Sequence, residues 1–285
     1  MPIAKVRNRI TSQQIEINYD MKGDGIPFVF LHPMGRDVTY WDPQVSKFAE
    51  KFKVVRCDIR GHGQTESPPG GYSMPIFSED LFRFLRSQRF ESAYICGLSL
   101  GGMVALRFAL DHPEMVEALI LCDTSSEGQT QSTKAHIDAM ENIAQEKGME
   151  GIIEYRLENG LVPENIRNDP EQLRLYRERM LASSPAGYLG CLRALDERPS
   201  VTDQLSKIKA PTLIIVGEHD INFLEPASIL HRGIEGSKLV VIPQAGHTSS
   251  FDQPDIFNTT ILNFIEEFEE KRASMVDLAG FTPEH

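Results

Sequence analysis

The chain has 285 residues, 41% of them apolar, and 29 basic against 41 acidic side chains give a formal charge of −12. That size and composition suit a soluble globular protein with a sizeable core, in one large domain or two small ones. The acidic balance argues against nucleic acid and anionic membrane surfaces as partners, and no apolar run approaches the length that spans a bilayer.

From the N-terminus, MPIAKVRNRI lacks the apolar region of a secretory signal. Strands are expected at Ala4–Ile10 and Ile15–Asp20, the second closed by the turn signal Lys22-Gly23-Asp24-Gly25. Phe28–His32 is a continuous apolar run of the kind a central parallel strand needs. Trp41–Phe52 reads as an amphipathic helix and Lys53–Asp58 as a strand, which runs into the glycine-rich loop Arg60-Gly61-His62-Gly63. Tyr72–Arg89 places Phe77, Leu81, Phe84 and Leu85 on one helical face. Strands follow at Ser92–Cys96 and Ala118–Cys122, with a helix from Met103 between them. Strand alternating with helix implies a parallel sheet covered on both faces, an α/β architecture.

After Cys122 the alternation stops. Ala135–Glu146, Ile152–Asn159, Pro170–Ser183 and Pro185–Asp196 read as helices, broken at Gly148, Pro163 and Ser184-Pro185. Alternation resumes with a strand at Pro211–Gly217, a helix at Glu225–Gly233, a strand at Lys238–Pro243 and a terminal helix at Phe251–Lys271; a poorly ordered tail is expected from Ala273. The organisation is therefore a core of residues 1–125, an all-helical cap over 126–207 and a second core segment over 208–285. Cys57, Cys96, Cys122 and Cys191 form no CxxC pair and read as reduced core thiols, with no disulfide or metal set; the expected compartment is the cytoplasm.

The segment Tyr94–His112 carries the chemistry. Between its strand and its helix lies Gly97-Leu98-Ser99-Leu100-Gly101, a G-x-S-x-G match in the strand–turn–helix setting that gives the pattern meaning. Such a turn forces Ser99 into a sparsely populated backbone conformation and leaves no room for side chains at Gly97 or Gly101. It holds the Ser99 hydroxyl clear of the sheet edge, beside the N–H groups of a helix N-terminus.

A serine hydroxyl needs a base, and the base needs an orienting acid. Of the eight histidines, His112, His136 and His231 read as solvated helix positions, His285 lies in the tail, and His32 and His62 read as structural hydrogen-bonders. His219 lies in the loop after a late strand. His247, in Gln244-Ala245-Gly246-His247-Thr248, falls between the last strand and last helix, at the carboxyl edge where Ser99 projects, and is the expected base. Asp220 follows the preceding strand at that edge and is the expected acid; Asp123 and Glu218 compete for the role. The expected oxyanion donors are the backbone N–H of Leu100 and that of Met34, because Pro33 has none.

Five segments taken together resemble the α/β-hydrolase superfamily over nearly the whole chain: His32–Gly35, Asp58–Gly63, Gly97–Gly101, Gly217–Asp220 and Ala245–His247. The family usually has His-Gly where this chain has His32-Pro33. The resemblance implies an eight-stranded, mostly parallel sheet with a helical cap, a Ser–His–Asp triad, and neither cofactor nor metal. Met34-Gly35 with Trp41-Asp42-Pro43, Cys96–Gly102 and Ser184–Tyr188 look most like the 3-oxoadipate enol-lactonase group, a pattern shared with esterases, cofactor-free perhydrolases and carbon–carbon bond hydrolases. The expected activity is cleavage of a small ester or lactone, with a small-molecule substrate as the partner; the alternatives are those sister chemistries, or a ligand receptor on the same fold with little turnover. The likeness to enol-lactonases, whose substrates are small acids, makes Arg36 a candidate to meet a substrate carboxylate. The competing reading leaves Arg36 a surface residue, solvated or paired locally beside Asp37.

Overall fold

Side-chain exposure alternates along β1 (Ile3–Arg7), with Ala4 and Val6 buried between exposed neighbours, so one face of the strand meets the core and the other meets water. It pairs antiparallel with β2 (Gln14–Lys22). The computed structural model describes residues 1–128 and 134–279. The next strands, β3 (Pro27–Leu31) and β4 (Lys53–Cys57), are buried on both faces, as are β5 (Ala93–Leu98), β6 (Val116–Cys122) and β7 (Thr212–Gly217). The half-exposed β8 (Lys238–Ile242) closes the far edge. These strands form one eight-stranded sheet in the order β1-β2-β4-β3-β5-β6-β7-β8. From β4 onward every pairing is parallel, while β2 is antiparallel to both of its neighbours.

Helices cover both faces. Across one face lie α2 (Met74–Ser87) and α3 (Leu100–Asp111), which bury Phe77, Leu81, Phe84, Val104 and Phe108 against β3, β5 and β6. On the other face α1 (Asp42–Phe48), preceded by a 3₁₀ turn at Val38–Trp41, packs Trp41 and Phe48 against Phe28 and Phe30. Between β6 and β7 come α4 (Lys134–Glu158), α5 (Glu164–Arg167), α6 (Pro170–Leu181) and α7 (Pro185–Asp196). They share a smaller core of Ile152, Ile153, Tyr176, Met180 and Tyr188. This insert is drawn together at its base: Val201 N–H donates to Ser126 O (2.8 Å), and the Ser126 and Thr202 hydroxyls bond each other (2.9 Å). After β7 follow α8 (Ile221–Gly233), the short α9 (Ser249–Asp252) and α10 (Pro254–Ala279).

The structure departs from the expected elements in identifiable ways. The helix expected over Trp41–Phe52 ends at Phe48, and α5 follows Pro163 where no helix was expected. Helix α8 begins one turn before the expected start, with Pro226 inside it. At the sixth helical position Pro226 lacks the N–H that would meet the Asn222 carbonyl, and the helix continues through it without that bond. The tail expected from Ala273 is helical through Ala279, in keeping with a stretch that has neither glycine nor proline before Gly280. His285 and the His136 side chain lie outside the described residues. His112 is not merely solvated: its ring stacks on Phe82, with centroids 4.0 Å apart. The break expected at Gly148 is a kink within α4, where Gly148 has φ 60°. The four cysteines are buried and reduced. Among the described residues no helix is long and apolar enough to cross a membrane.

Candidate active site

Strand β5 runs without interruption into Ser99, which has φ 54° and ψ −115°, the only residue between β5 and α3. A left-handed, non-glycine conformation of this kind persists only where its surroundings hold it. Here Ser99 N–H donates to Cys122 O (2.9 Å), while Ser99 O accepts from Met103 N–H (3.0 Å) and the Thr124 hydroxyl (2.8 Å). The following turn is equally tight: a Cβ on Gly101 would stand 2.1 Å from Leu31 O.

The loop after β8 reaches the same edge. His219 N–H donates to Ala245 O (2.8 Å) and Gly246 N–H to Asp252 Oδ2 (2.8 Å), which fixes the backbone on both sides of the His247 ring. Phe223 of α8 packs on that ring at 4.5 Å between centroids. His247 Nδ1–H donates to Asp220 Oδ2 (2.7 Å), which leaves Nε2 to accept from the Ser99 hydroxyl (3.0 Å). A hydroxyl, an imidazole and a carboxylate in this order can pass the serine proton to the ring while the acid stabilises the resulting imidazolium. Burial works against protonation of His247, but the hydrogen bond and charge of Asp220, with the charge of Asp123, more than offset it, and its pKa is raised.

The other two carboxylates have different partners. Asp123 is fully buried and accepts from Gly217 N–H (2.9 Å) and from both the N–H (3.2 Å) and hydroxyl (2.6 Å) of Ser249. It ties the end of β7 to the start of α9. Burial raises its pKa to about 6, against the pull of His247 and Ser249. Glu218 is exposed and accepts from Gln244 N–H (2.9 Å). His32 holds the loop after β3, its Nε2 accepting from Ile59 N–H (3.0 Å) and its Nδ1–H donating to Pro33 O (2.9 Å). Burial drives the His62 pKa down to about 3.

Pro33 to Arg36 form a turn closed by Arg36 N–H to Pro33 O (3.2 Å), with Gly35 third at φ 71°, as a type II turn demands. The Asp37 carboxylate turns away from Arg36 and caps Thr39 N–H (2.8 Å). Arg36 instead lays its guanidinium over the Tyr176 ring, 4.6 Å from the centroid. A cavity of about 440 Å³ opens here, lined by Met34, Arg36, Ser99 and His247 from the frame and by Arg156 and Tyr188 from the insert. Arg156 donates to Tyr176 Oη (2.8 Å), Tyr188 Oη (2.9 Å) and Leu161 O (3.0 Å). Burial opposes its charge, but the phenol oxygens of Tyr188 and Tyr176 outweigh that and raise its pKa. Burial lowers the Arg36 pKa to about 10, so both guanidiniums stay charged at neutral pH. Neither takes part in an ion pair among the described residues, while Asp196 and Arg198 line the same cavity. The sequence singled out Arg36 but not Arg156, whose helix offers no local pattern that marks it. Among the described residues no group of three His, Cys, Asp or Glu side chains is close enough to hold a metal ion.

Comparison with known proteins follows this geometry. Residues 28–254 match the Hydrolase_4 family, described as serine aminopeptidase, S33. The chain is 28% identical over 272 residues to 3-oxoadipate enol-lactonase 2 of Acinetobacter baylyi, covering 94% of this chain and 100% of that one. An enol-lactonase from Burkholderia xenovorans superposes with a TM-score of 0.81 at 25% identity, over 93% of this chain and 100% of the other. A thermophilic esterase from Thermogutta terrifontis, with malate bound, superposes at 0.85 with 29% identity, over 94% and 99%.

Proposed function

The chain belongs to the Hydrolase_4 family within the α/β-hydrolase superfamily, and from that premise we propose that it is a serine hydrolase that cleaves a small ester or lactone through an acyl-enzyme on Ser99. The observation that carries this reading is His247 hydrogen-bonded at once to Ser99 (3.0 Å) and Asp220 (2.7 Å). Ser99 Oγ attacks the carbonyl carbon as its proton moves to His247 Nε2. The imidazolium then protonates the leaving oxygen, and a water activated by the same ring hydrolyses the ester on Ser99. Met34 and Leu100 N–H groups receive the carbonyl oxygen as it gains charge. The helical insert, residues 126–207, serves as the cap that shapes the cavity. The names of the enol-lactonase and esterase relatives support the ester or lactone class. The test is turnover on a panel of short-chain esters and lactones, with labelling by a fluorophosphonate. A folded protein that is unlabelled, turns nothing over and only shifts its melting point with ligands would be a receptor, and the hydrolase reading would fall.

Arg36 and Arg156 support a negatively charged substrate. Both half-buried guanidiniums line the cavity without an ion-pair partner among the described residues; Asp196 lies in the same wall with Arg198, so the wall carries more positive than negative charge, and a carboxylate on the ligand would complement it. On two otherwise matched esters, one ending in a carboxylate and one in a methyl, Arg36→Ala is expected to raise KM for the acidic ester alone, by about tenfold. An equal change in KM for both, or no change, would leave the cavity indifferent to charge.

The raised pKa of His247 sets the pH dependence. Only neutral imidazole can take the serine proton, so kcat/KM falls as pH drops through that pKa. Because Asp220 favours the charged ring, this acid limb is expected above the ordinary value of 6.5, and Asp220→Asn is expected to move it down. A pH–rate profile of the free enzyme checks both; a wild-type limb below 6.5 contradicts the coupling.

A further inference from the structure

The turn that presents Met34 N–H is not supported by the frame alone. Met34 packs at once against the core around α3 and against the insert's own core. A Cβ on Gly35 would lie 3.0 Å from Met180 Sδ and 3.6 Å from Tyr188 Cε2, so the turn is seated directly on α6 and α7. One residue on, Arg36 stacks on the face of Tyr176. The Tyr176 ring is in turn pinned at its hydroxyl by Arg156, which also grips Tyr188 and the carbonyl of Leu161. Arg156 thus gathers α4, α6, α7 and the loop after α4 around one guanidinium, and the Tyr176 ring carries the position of that assembly to Arg36.

We infer that Tyr176 is a positioning residue: its ring, held by Arg156, braces Arg36 and thereby sets the Pro33–Arg36 turn so that Met34 N–H points to where the oxyanion forms. This rests on the reading of Ser99 as nucleophile and Met34 as oxyanion donor. Physically, a short turn beside a cavity has few contacts of its own to resist a shift, and a hydrogen-bond donor aimed at a developing charge loses its effect when displaced by a fraction of an ångström. A half-buried cation over an aromatic face resists such a shift without a carboxylate partner. The guanidinium has five N–H donors and the ring face accepts none of them as a full hydrogen bond, so donors remain to meet a ligand anion. The brace and a role in substrate binding therefore coexist on Arg36.

The two roles separate kinetically. The brace acts on the transition state, so its loss lowers kcat on a neutral ester and leaves KM alone; loss of an anion contact raises KM on an acidic ester. Tyr176→Leu removes the ring and is expected to cut kcat on a neutral short-chain ester by about tenfold or more, with KM changed less than about twofold. Inhibition by phenylboronic acid, which forms a tetrahedral adduct on an active serine, is expected to weaken in step with kcat. Tyr176→Phe keeps the ring and is expected to restore kcat to within about threefold of wild type, although its melting point falls with the lost bond to Arg156. Should Tyr176→Leu fail to fold, Arg36→Met breaks the same contact from the other side and is expected to show the same drop in kcat. Where both fold, the double variant is expected to be no worse than either single one, because they share one interaction. Unchanged kcat in a folded Tyr176→Leu or Arg36→Met overturns the brace, as does a Tyr176→Phe as impaired as Tyr176→Leu. Fluorophosphonate labelling of the wild type distinguishes the two levels: labelled protein with unaffected variants sinks the brace alone, and unlabelled wild type sinks the serine reading and the brace together.

Discussion

Ser99→Ala is expected to lose at least about 10³-fold in kcat on a short-chain ester, together with all labelling by a fluorophosphonate, while its melting point stays near wild type. The side-chain hydroxyl bonds His247 Nε2, whereas the backbone of Ser99 is held independently by Cys122, Met103 and Thr124. Alanine keeps the Cβ and hence the backbone preferences, so the left-handed conformation at φ 54° costs the variant what it costs the wild type. The loss is large because the three groups act as a unit: with no oxygen to receive, the base has no proton to take. Labelling of Ser99→Ala at unchanged stoichiometry would move the nucleophile elsewhere.

Asp220→Asn and Asp123→Asn are expected to fail in opposite ways. In Asp220→Asn the amide can present its N–H₂ to His247 Nδ1, which favours the tautomer with the proton on Nε2, where it cannot accept from Ser99. A loss of up to about 10⁴ in kcat with little change in stability is expected. Asp123 faces three donors, Gly217 N–H, Ser249 N–H and the Ser249 hydroxyl. An amide there sets its own N–H₂ against one side of that set, at a cost of about 1–3 kcal/mol for a buried unsatisfied group. Asp123→Asn should therefore melt earlier yet keep most of its activity. Thermal melts and kcat measured side by side decide between the two carboxylates. A more damaged kcat in Asp123→Asn at equal stability would place the orienting acid after β6 and not after β7.

The frame and its three polar side chains were legible for the same reason. The strands that end at the site, β5, β7 and β8, are short, mostly apolar runs that lead into glycine-containing turns, and Ser99, Asp220 and His247 each lie in or just beyond such a turn. Sheet topology then brings three strand ends to one edge, so local signals were enough. Asp123 was harder, since a carboxylate after β6 has the same local signature as one after β7; the difference is made by Ser249, 126 residues away. Arg156 carried no signal at all. On its helix it is one charged residue among several, and its meaning comes from tyrosines 20 and 32 positions further on, delivered by the packing of α6 and α7. Helix packing within the insert is set by apolar contacts whose pattern admits many arrangements, and sequence periodicity does not choose among them. For the same reason the stacking of Arg36 on Tyr176, in place of a pairing with Asp37, required the structure.

The closure of the insert on itself at Ser126, Val201 and Thr202 has a consequence for how such a protein changes over generations. Because the segment's two ends meet, its two covalent junctions with the frame lie side by side, and lengthening or shortening what lies between alters the chain entropy only logarithmically. Ser99, Asp220 and His247 all stand on turns at the sheet edge, outside residues 127–200, so heritable variation can redraw the walls of the cavity while these three groups keep their places. What any replacement has to keep is its seats on the frame: the Pro33–Arg36 turn, the Arg60 carbonyl that accepts from the Cys191 thiol (3.0 Å), and Asp252, which accepts from Asn165 and steadies the His247 loop.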